Sequence, residues 1–549
     1  MRRVAVLVLV VAACSEGPQL VGSQPSWRTG PTADKLAAPV TFAPTTEPAK
    51  RYNEAIQPPP ATELNTAIST MVKEEAKKLG LPPPVADARL FRVCDEIAEV
   101  VPENGVANNA VLEFALQRNG IIEPVPHLII AWSGVRDVSS LVENLRPNAV
   151  EMLHEGATAR VGIGAVKRLA DGTNAIVFAM QASGVTTQPI PRTLPASGSF
   201  ALDAVVDSKY RDPEVFVTHD DGQTEQLAIK LAKTGSFNVS VGCGAHTGKQ
   251  QVEIAANGPL GSTVLANFPV WCATEPPATV TIDSSRDDGP VTSTTDAEQK
   301  LFQAVNRERA NAHLAPYVWD DRLAAVARGH SEDMHKTNLI GHLSPTTGGA
   351  ADRVHAANIK TALVLENVAR AYSVAGVHEG LMNSPGHRAN IMSPSATNIG
   401  IGVVFGDDNA GQRALLVTQV FSRVPPVIDH TKALDVVTQK LVAARKMMTV
   451  DPHLSQIAES VATSLAAGKS RDEVWPDVRR RLDMMGRSFG KVGSVITAVS
   501  ELDTLDAKPL IGDYTPDAMG VGVAQGPHPE IGDNAVWIVV LFAQKRPTP

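Results

Sequence analysis

A chain of 549 residues is too long for one hydrophobic core and calls for three or four domains. Its 43% hydrophobic and 20% charged residues can bury such cores, which excludes disordered and fibrous classes. The 50 basic and 58 acidic residues are spread without a basic stripe, and only four cysteines and 4% aromatics accompany them, so nucleic acid is not expected as a partner and a small disulfide scaffold is excluded.

Met1-Arg2-Arg3 followed by the apolar run Val4 to Ala13, half the length that crosses a bilayer, reads as a signal peptide over 1–13. The run ends in Val11-Ala12-Ala13-Cys14, which resembles the lipobox of bacterial lipoproteins. That resemblance implies lipid attachment at Cys14; cleavage by an ordinary signal peptidase after Ala13 is the alternative, and both export the protein. With Ser15 next, the lipoprotein pattern implies the cell envelope, as an outer-membrane lipoprotein or at the cell surface. Residues 14–62, rich in Pro, Thr, Ala and Gln without helical or strand period, read as a flexible lipid-anchored tether.

One pattern then recurs three times. Asp87-Ala88-Arg89-Leu90 with Val93 and Cys94, Asp320-Asp321-Arg322-Leu323 with Val326 and Ala327, and Asp451-Pro452-His453-Leu454 with Ile457 and Ala458 each open an amphipathic helix. Each is followed by a Gly-Xaa-Gly strand, containing Gly162, Gly400 or Gly520, and by a second apolar strand. The separations from Leu90 to Gly162, Leu323 to Gly400 and Leu454 to Gly520 are 72, 77 and 66 residues, so three copies of one fold are expected at 63–185, 297–424 and 430–547. Between the first two, residues 186–276 alternate in hydrophobicity around Asp221-Gly222 and Asn257-Gly258 turns and read as a small all-β sandwich. A disulfide between Cys243 and Cys272 is expected there, leaving Cys94 as a buried thiol on its helix. Residues 277–296, rich in Thr, Ser, Pro and Asp, read as a linker.

The middle copy carries further motifs: Asn306-Arg307-Glu308-Arg309, His330-Ser331-Glu332-Asp333-Met334, Gly341-His342-Leu343-Ser344-Pro345, Glu366-Asn367-Val368-Ala369, Ser384-Pro385-Gly386-His387-Arg388-Ala389-Asn390 and Thr418-Gln419-Val420-Phe421. In this order they resemble the CAP superfamily (cysteine-rich secretory proteins, antigen 5 and pathogenesis-related 1 proteins, also called SCP-like), in its bacterial branch without disulfides. The resemblance implies an α-β-α sandwich with a cleft holding two histidines and two acids. Carried over, His342 and His387 match the histidines and Glu366 one acid; the second falls near Asn383 or Ser384, with Glu379 the nearest carboxylate one helical turn earlier. The outer copies lack these motifs and read as degenerate CAP-like domains, His127 lying opposite Glu366 and Leu145 opposite His387. The fold class is thus α/β and multidomain.

Two neutral imidazoles and a carboxylate offer three ligands with an open fourth position, which suits zinc or a similar divalent ion; the alternative is a hydrogen-bonded His-Glu-His cluster that orders two loops without metal. Gly486-Arg487-Ser488-Phe489-Gly490 matches a hydrolase nucleophile elbow but follows a helix instead of a strand. The expected function is therefore an exported, lipid-anchored binding module for a lipid, glycan, wall polymer or envelope protein. A metal-dependent hydrolase using His342, Glu366 and His387, with Glu379 activating water, is the alternative.

Overall fold

The computed structural model describes residues 40–101, 109–133, 138–154, 158–167, 174–282, 291–409, 412–445, 448–484, 489–512 and 515–545. Cys14 and Ser488 lie outside them. Within the described residues three four-stranded sheets share one design. In each, a two-residue strand runs parallel to a long Gly-Xaa-Gly strand, which pairs antiparallel with a second long strand, which pairs antiparallel with a third. The long central pairs are Thr158–Lys167 with Asn174–Ala182, Asn398–Asn409 with Gln412–Ser422, and Ala518–His528 with Gly532–Lys545.

The recurring residues have one physical cause. Asp87, Asp320 and Asp451 are N-caps whose carboxylates accept backbone N–H groups of the first turn of the helices Ala88–Val100, Asp321–Thr337 and Pro452–Ala466. Each helix lies directly on the Gly-Xaa-Gly strand. A Cβ at Gly400 would overlap the backbone at Leu323 and Ala324, and one at Gly402 the backbone at Ala327 and Arg328; Gly162 and Gly164, and Gly520 and Gly522, stand in the same relation to their helices. The glycines are therefore required by the closeness of the helix. Leu90, Leu323 and Leu454 are fully buried by that approach, each burial contributing about 1.5–3 kcal/mol.

In the middle unit the strand period of two sorts the layers. Ile399, Ile401, Val403, Val417 and Phe421 face the helices Thr294–Asn311 and Val374–Asn383, through Leu301, Val305 and Val377. Gly400, Gly402, Thr418 and Val420 face the helix Asp321–Thr337 on the other side. The sheet is thus held between helical layers, and the side chain of Glu366, in the strand Val364–Ala371, belongs to the second face.

Residues Val185–Cys272 form a three-stranded sheet (Val185–Thr187, Ser199–Val206, Ser236–Gly242) and a five-stranded one (Thr193–Leu194, Arg211–Thr218, Thr224–Leu227, Gly248–Gly258, Gly261–Cys272) around a shared apolar core. Cys243 is bonded to Cys272, joining the end of one sheet to the other. Cys94 is buried, which pushes its thiol well above the usual range.

One expectation needs correction. Residues 14–62 are not a tether throughout, because Val40–Phe42 pairs with Val280–Ile282 from the expected linker, and Arg51–Tyr52 pairs with Ile190–Pro191. The reason is apolar burial: Tyr52 sits fully buried in the sandwich core with its hydroxyl donating to Pro269 O at 2.7 Å, and Phe42 packs edge-on against Phe114. The helix Arg471–Met484 precedes the Gly486–Gly490 motif and the strand Phe489–Val499 takes up its end, the reverse of a nucleophile elbow and as the sequence pattern led one to expect.

Candidate functional site

His342 lies in the loop between the helix Asp321–Thr337 and the short helix Ala350–Ala356, and Glu366 lies on the strand Val364–Ala371. Both are buried, and His342 Nδ1–H donates to Glu366 Oε1 at 2.9 Å. The other carboxylate oxygen accepts from Arg353 at 2.6 Å, while the same guanidinium donates to the carbonyl of His342. Burial acts to raise the Glu366 carboxyl, but the His342 hydrogen bond and the charges of Arg353 and His342 override it and hold it at about 2. Glu366 is therefore ionised at neutral pH and can only accept hydrogen bonds, which fixes the proton of His342 on Nδ1. Behind it, His330 Nε2–H donates to Gly341 O at 2.8 Å, and burial lowers its pKa.

His387 lies on the helix Pro385–Ile391 and is fully buried; burial, with His342 acting in the same direction, pushes its pKa well below the usual range, so it is neutral. Its helix is fastened by amides. Asn367 Nδ2 donates to His387 O at 3.2 Å and to Gln419 Oε1 at 3.0 Å, and Asn390 Nδ2 donates to Glu366 O at 3.1 Å and Asn367 Oδ1 at 2.9 Å. Arg309 reaches the carbonyls of Ile391 and Ser393 and stacks on Tyr317, whose hydroxyl donates to Asn390 O. The motif residues Arg309, Asn367, Asn390 and Gln419 thus position the loops that carry the histidines.

Glu379 does not join this set. It is exposed on the helix Val374–Asn383, and its charge acts on Glu113 of the first unit. That helix stops at Asn383, and Ser384 turns through an extended conformation into the next helix, so helical spacing does not carry from Glu379 across to His387. The carboxylate found at Ser384 is Glu253, from the β-sandwich: Ser384 O–H donates to its Oε2 at 2.5 Å and Gly386 N–H to its Oε1 at 3.0 Å. Neither Arg353 nor Glu253 was marked by any sequence motif.

The register also corrects the outer sheets. Glu366 pairs with Val420, the partner of Gly400; the equivalent position beside the partner of Gly162 is Leu128, and beside the partner of Gly520 it is Ser494. His127 is one residue out of register and so belongs to the opposite face. Leu145 is buried in an apolar cluster with Leu64, Ile68 and Ala149.

The donor set does not fit a metal held by all three residues. Both oxygens of Glu366 already accept from protein donors, one of them the Arg353 cation, whose charge opposes a second cation at that carboxylate. Among the described residues, the group of three His, Cys, Asp or Glu with ligand atoms all within 4.8 Å of one another is Asp220, Asp221 and His246 on the sandwich.

Comparison with known proteins bears on the middle unit. Residues 302–421 match the family model described as CAP, the Cysteine-rich secretory protein family. The chain is 35% identical over 133 residues to the uncharacterized protein YkwD of Bacillus subtilis, covering 24% of this chain and 51% of that protein. It is 36% identical over 111 residues to the uncharacterized membrane protein YlbC of the same organism, covering 20% and 32%. The chain therefore spans about half the length, or less, of these curated relatives. A solved extracellular protein containing a SCP domain from Bacillus anthracis aligns at 25% identity and a TM-score of 0.22 over 36% of this chain and 68% of that one. Among the described residues no helix is long and apolar enough to cross a membrane.

Proposed function

We propose, with a CAP domain at residues 302–421 as the premise, that this chain is an exported envelope protein anchored through lipid on Cys14, whose CAP domain binds a surface ligand without turnover. The ligand class is a lipid, glycan, wall polymer or envelope protein. The reading rests on the state of Glu366. A carboxylate held at about 2, with one oxygen on Arg353 and the other on His342, is a poor base at neutral pH and has no proton to give. What it does well is fix the loop of His342 against the sheet, while Asn367 and Asn390 fix the helix of His387, so two loops are presented at constant spacing.

The test is co-sedimentation of the full chain with isolated wall sacculi and with lipid vesicles, comparing wild type with the double variant His342→Ala, His387→Ala. Binding is expected to fall in the variant, with no soluble product released by either. Fractionation of Cys14→Ser tests the anchor: the protein is expected to leave the membrane fraction.

A further inference from the structure

We propose that the β-sandwich is a resident lid on the CAP domain. In the resting chain it covers the surface made by the loops of His342 and His387, and a ligand reaches that surface once the sandwich has swung off. This rests on the reading that the CAP domain binds there.

The sandwich touches both loops at their functional residues. On the first, Leu343 N–H donates to Leu260 O at 2.9 Å, one residue beyond His342. Gly261 is seated on His342 itself, where a Cβ would lie 3.0 Å from the histidine Cβ, and a Cβ at Gly341 would lie 2.6 Å from that of Leu260. Glycine on each side of the seam lets the Gly258–Gly261 turn press onto the loop; at Gly261 it also supplies φ +97°. On the second loop, Glu253 receives the Ser384 hydroxyl and the Gly386 amide just before His387, Arg388 Nε donates to Gly222 O at 3.2 Å, and Asn267 Nδ2 donates to Asn383 O at 3.1 Å.

The seam is made to part. The apolar core of the sandwich shares no residue with either apolar cluster of the CAP domain, whereas it does contain Tyr52 and Ile122 from the N-terminal part of the chain. Asn267 N–H also donates to Ile122 O at 2.7 Å. The sandwich is therefore joined to the N-terminal unit by buried hydrocarbon and to the CAP domain by hydrogen bonds and glycines, and polar seams between domains open at lower cost than apolar cores. The lid moves with the N-terminal unit as one body.

The amides of Leu343 and Gly386 have their acceptors on the sandwich, so their hydrogen exchange in the full chain reports closure. Two variants open the seam from opposite sides: Gly341→Val, a wedge against Leu260, and Glu253→Lys, which sets a cation against the helix start. Each is expected to speed exchange in peptides holding Leu343 and Gly386 by about tenfold or more, and carbethoxylation of His342 by diethylpyrocarbonate alike, while peptides from Val364–Ala371 and Ser199–Val206 keep wild-type protection. Unchanged exchange in both variants overturns the proposal. So does protection that collapses through Val364–Ala371 in both, because the sandwich would then be part of the CAP fold. Neither readout uses a ligand, so the lid stands or fails apart from the binding reading, which the sacculus and vesicle assay decides.

Discussion

The middle sheet and the first sheet are built alike, with the same strand order and a helix seated on paired glycines, yet where the middle sheet carries Glu366 the first carries Leu128, and where it carries Asn367 and Gln419 the first carries Ile129 and Phe178. Leu128 is buried in an apolar cluster with Leu90 and Val177. Glu366 is buried as an ion between Arg353 and His342. The scaffold therefore closes without the charge, and the polar set in the middle sheet is an addition that the fold does not require. Buried ion pairs are a poor way to gain stability compared with hydrocarbon of similar shape, and the proposed function gives this set the task of presenting His342 and His387.

The sharpest way to break this comparison is to remove one member of the pair. Glu366→Ala leaves the Arg353 guanidinium buried without its carboxylate and is expected to cost about 3–5 kcal/mol in denaturant unfolding, whereas the double change Glu366→Leu with Arg353→Met is expected to recover most of that loss. If the double variant were as damaged as the single, the charge would be part of the fold and the contrast with Leu128 would fail.

The glycines test the likeness of the sheets. Gly162→Ala, Gly400→Ala and Gly520→Ala each press a methyl into helix backbone and should each destabilise their own unit by about 1–3 kcal/mol or more. Equal losses by thermal unfolding support one design; tolerance at a single sheet would set that sheet apart.

Two carboxylates predict opposite pH behaviour. Glu366 is lowered from 4.5 to about 2, so its share of stability is present above pH 4.5 and is lost as pH falls through 2; acid titration of Glu366→Gln should lack that loss. Glu253 is raised to about 7, chiefly by burial, with Glu214 of the neighbouring strand adding to the rise and Ser384 and Gly386 opposing it. Its share is present below pH 4.5 and is lost as pH rises through 7, so exchange at Gly386, corrected for intrinsic rate, should quicken between pH 6 and 8, and Glu253→Gln should flatten that dependence. The smallest effect expected is at the caps: Asp451→Ala and Asp320→Ala should each cost about 1 kcal/mol.

What was legible in the sequence follows from locality. Capping aspartates, helix leucines and Gly-Xaa-Gly strands act within a few residues, so their pattern can be counted, and the CAP motifs mark His342, Glu366 and His387 in order. Arg353 and Glu253 act through loops and across a domain seam, Glu253 meeting Gly386 over 133 positions, and no spacing encodes that. Tyr52 stands in a two-residue strand, too short to show any period. Glu379 was misplaced because helical spacing was extended past Asn383, where the helix ends.

The most direct test of the account is the co-sedimentation of the full chain with sacculi and vesicles, wild type beside His342→Ala, His387→Ala. The account predicts retention that depends on the two histidines, with no product formed whether or not zinc is added. Release of a cleavage product that requires His342 and is increased by zinc would contradict it.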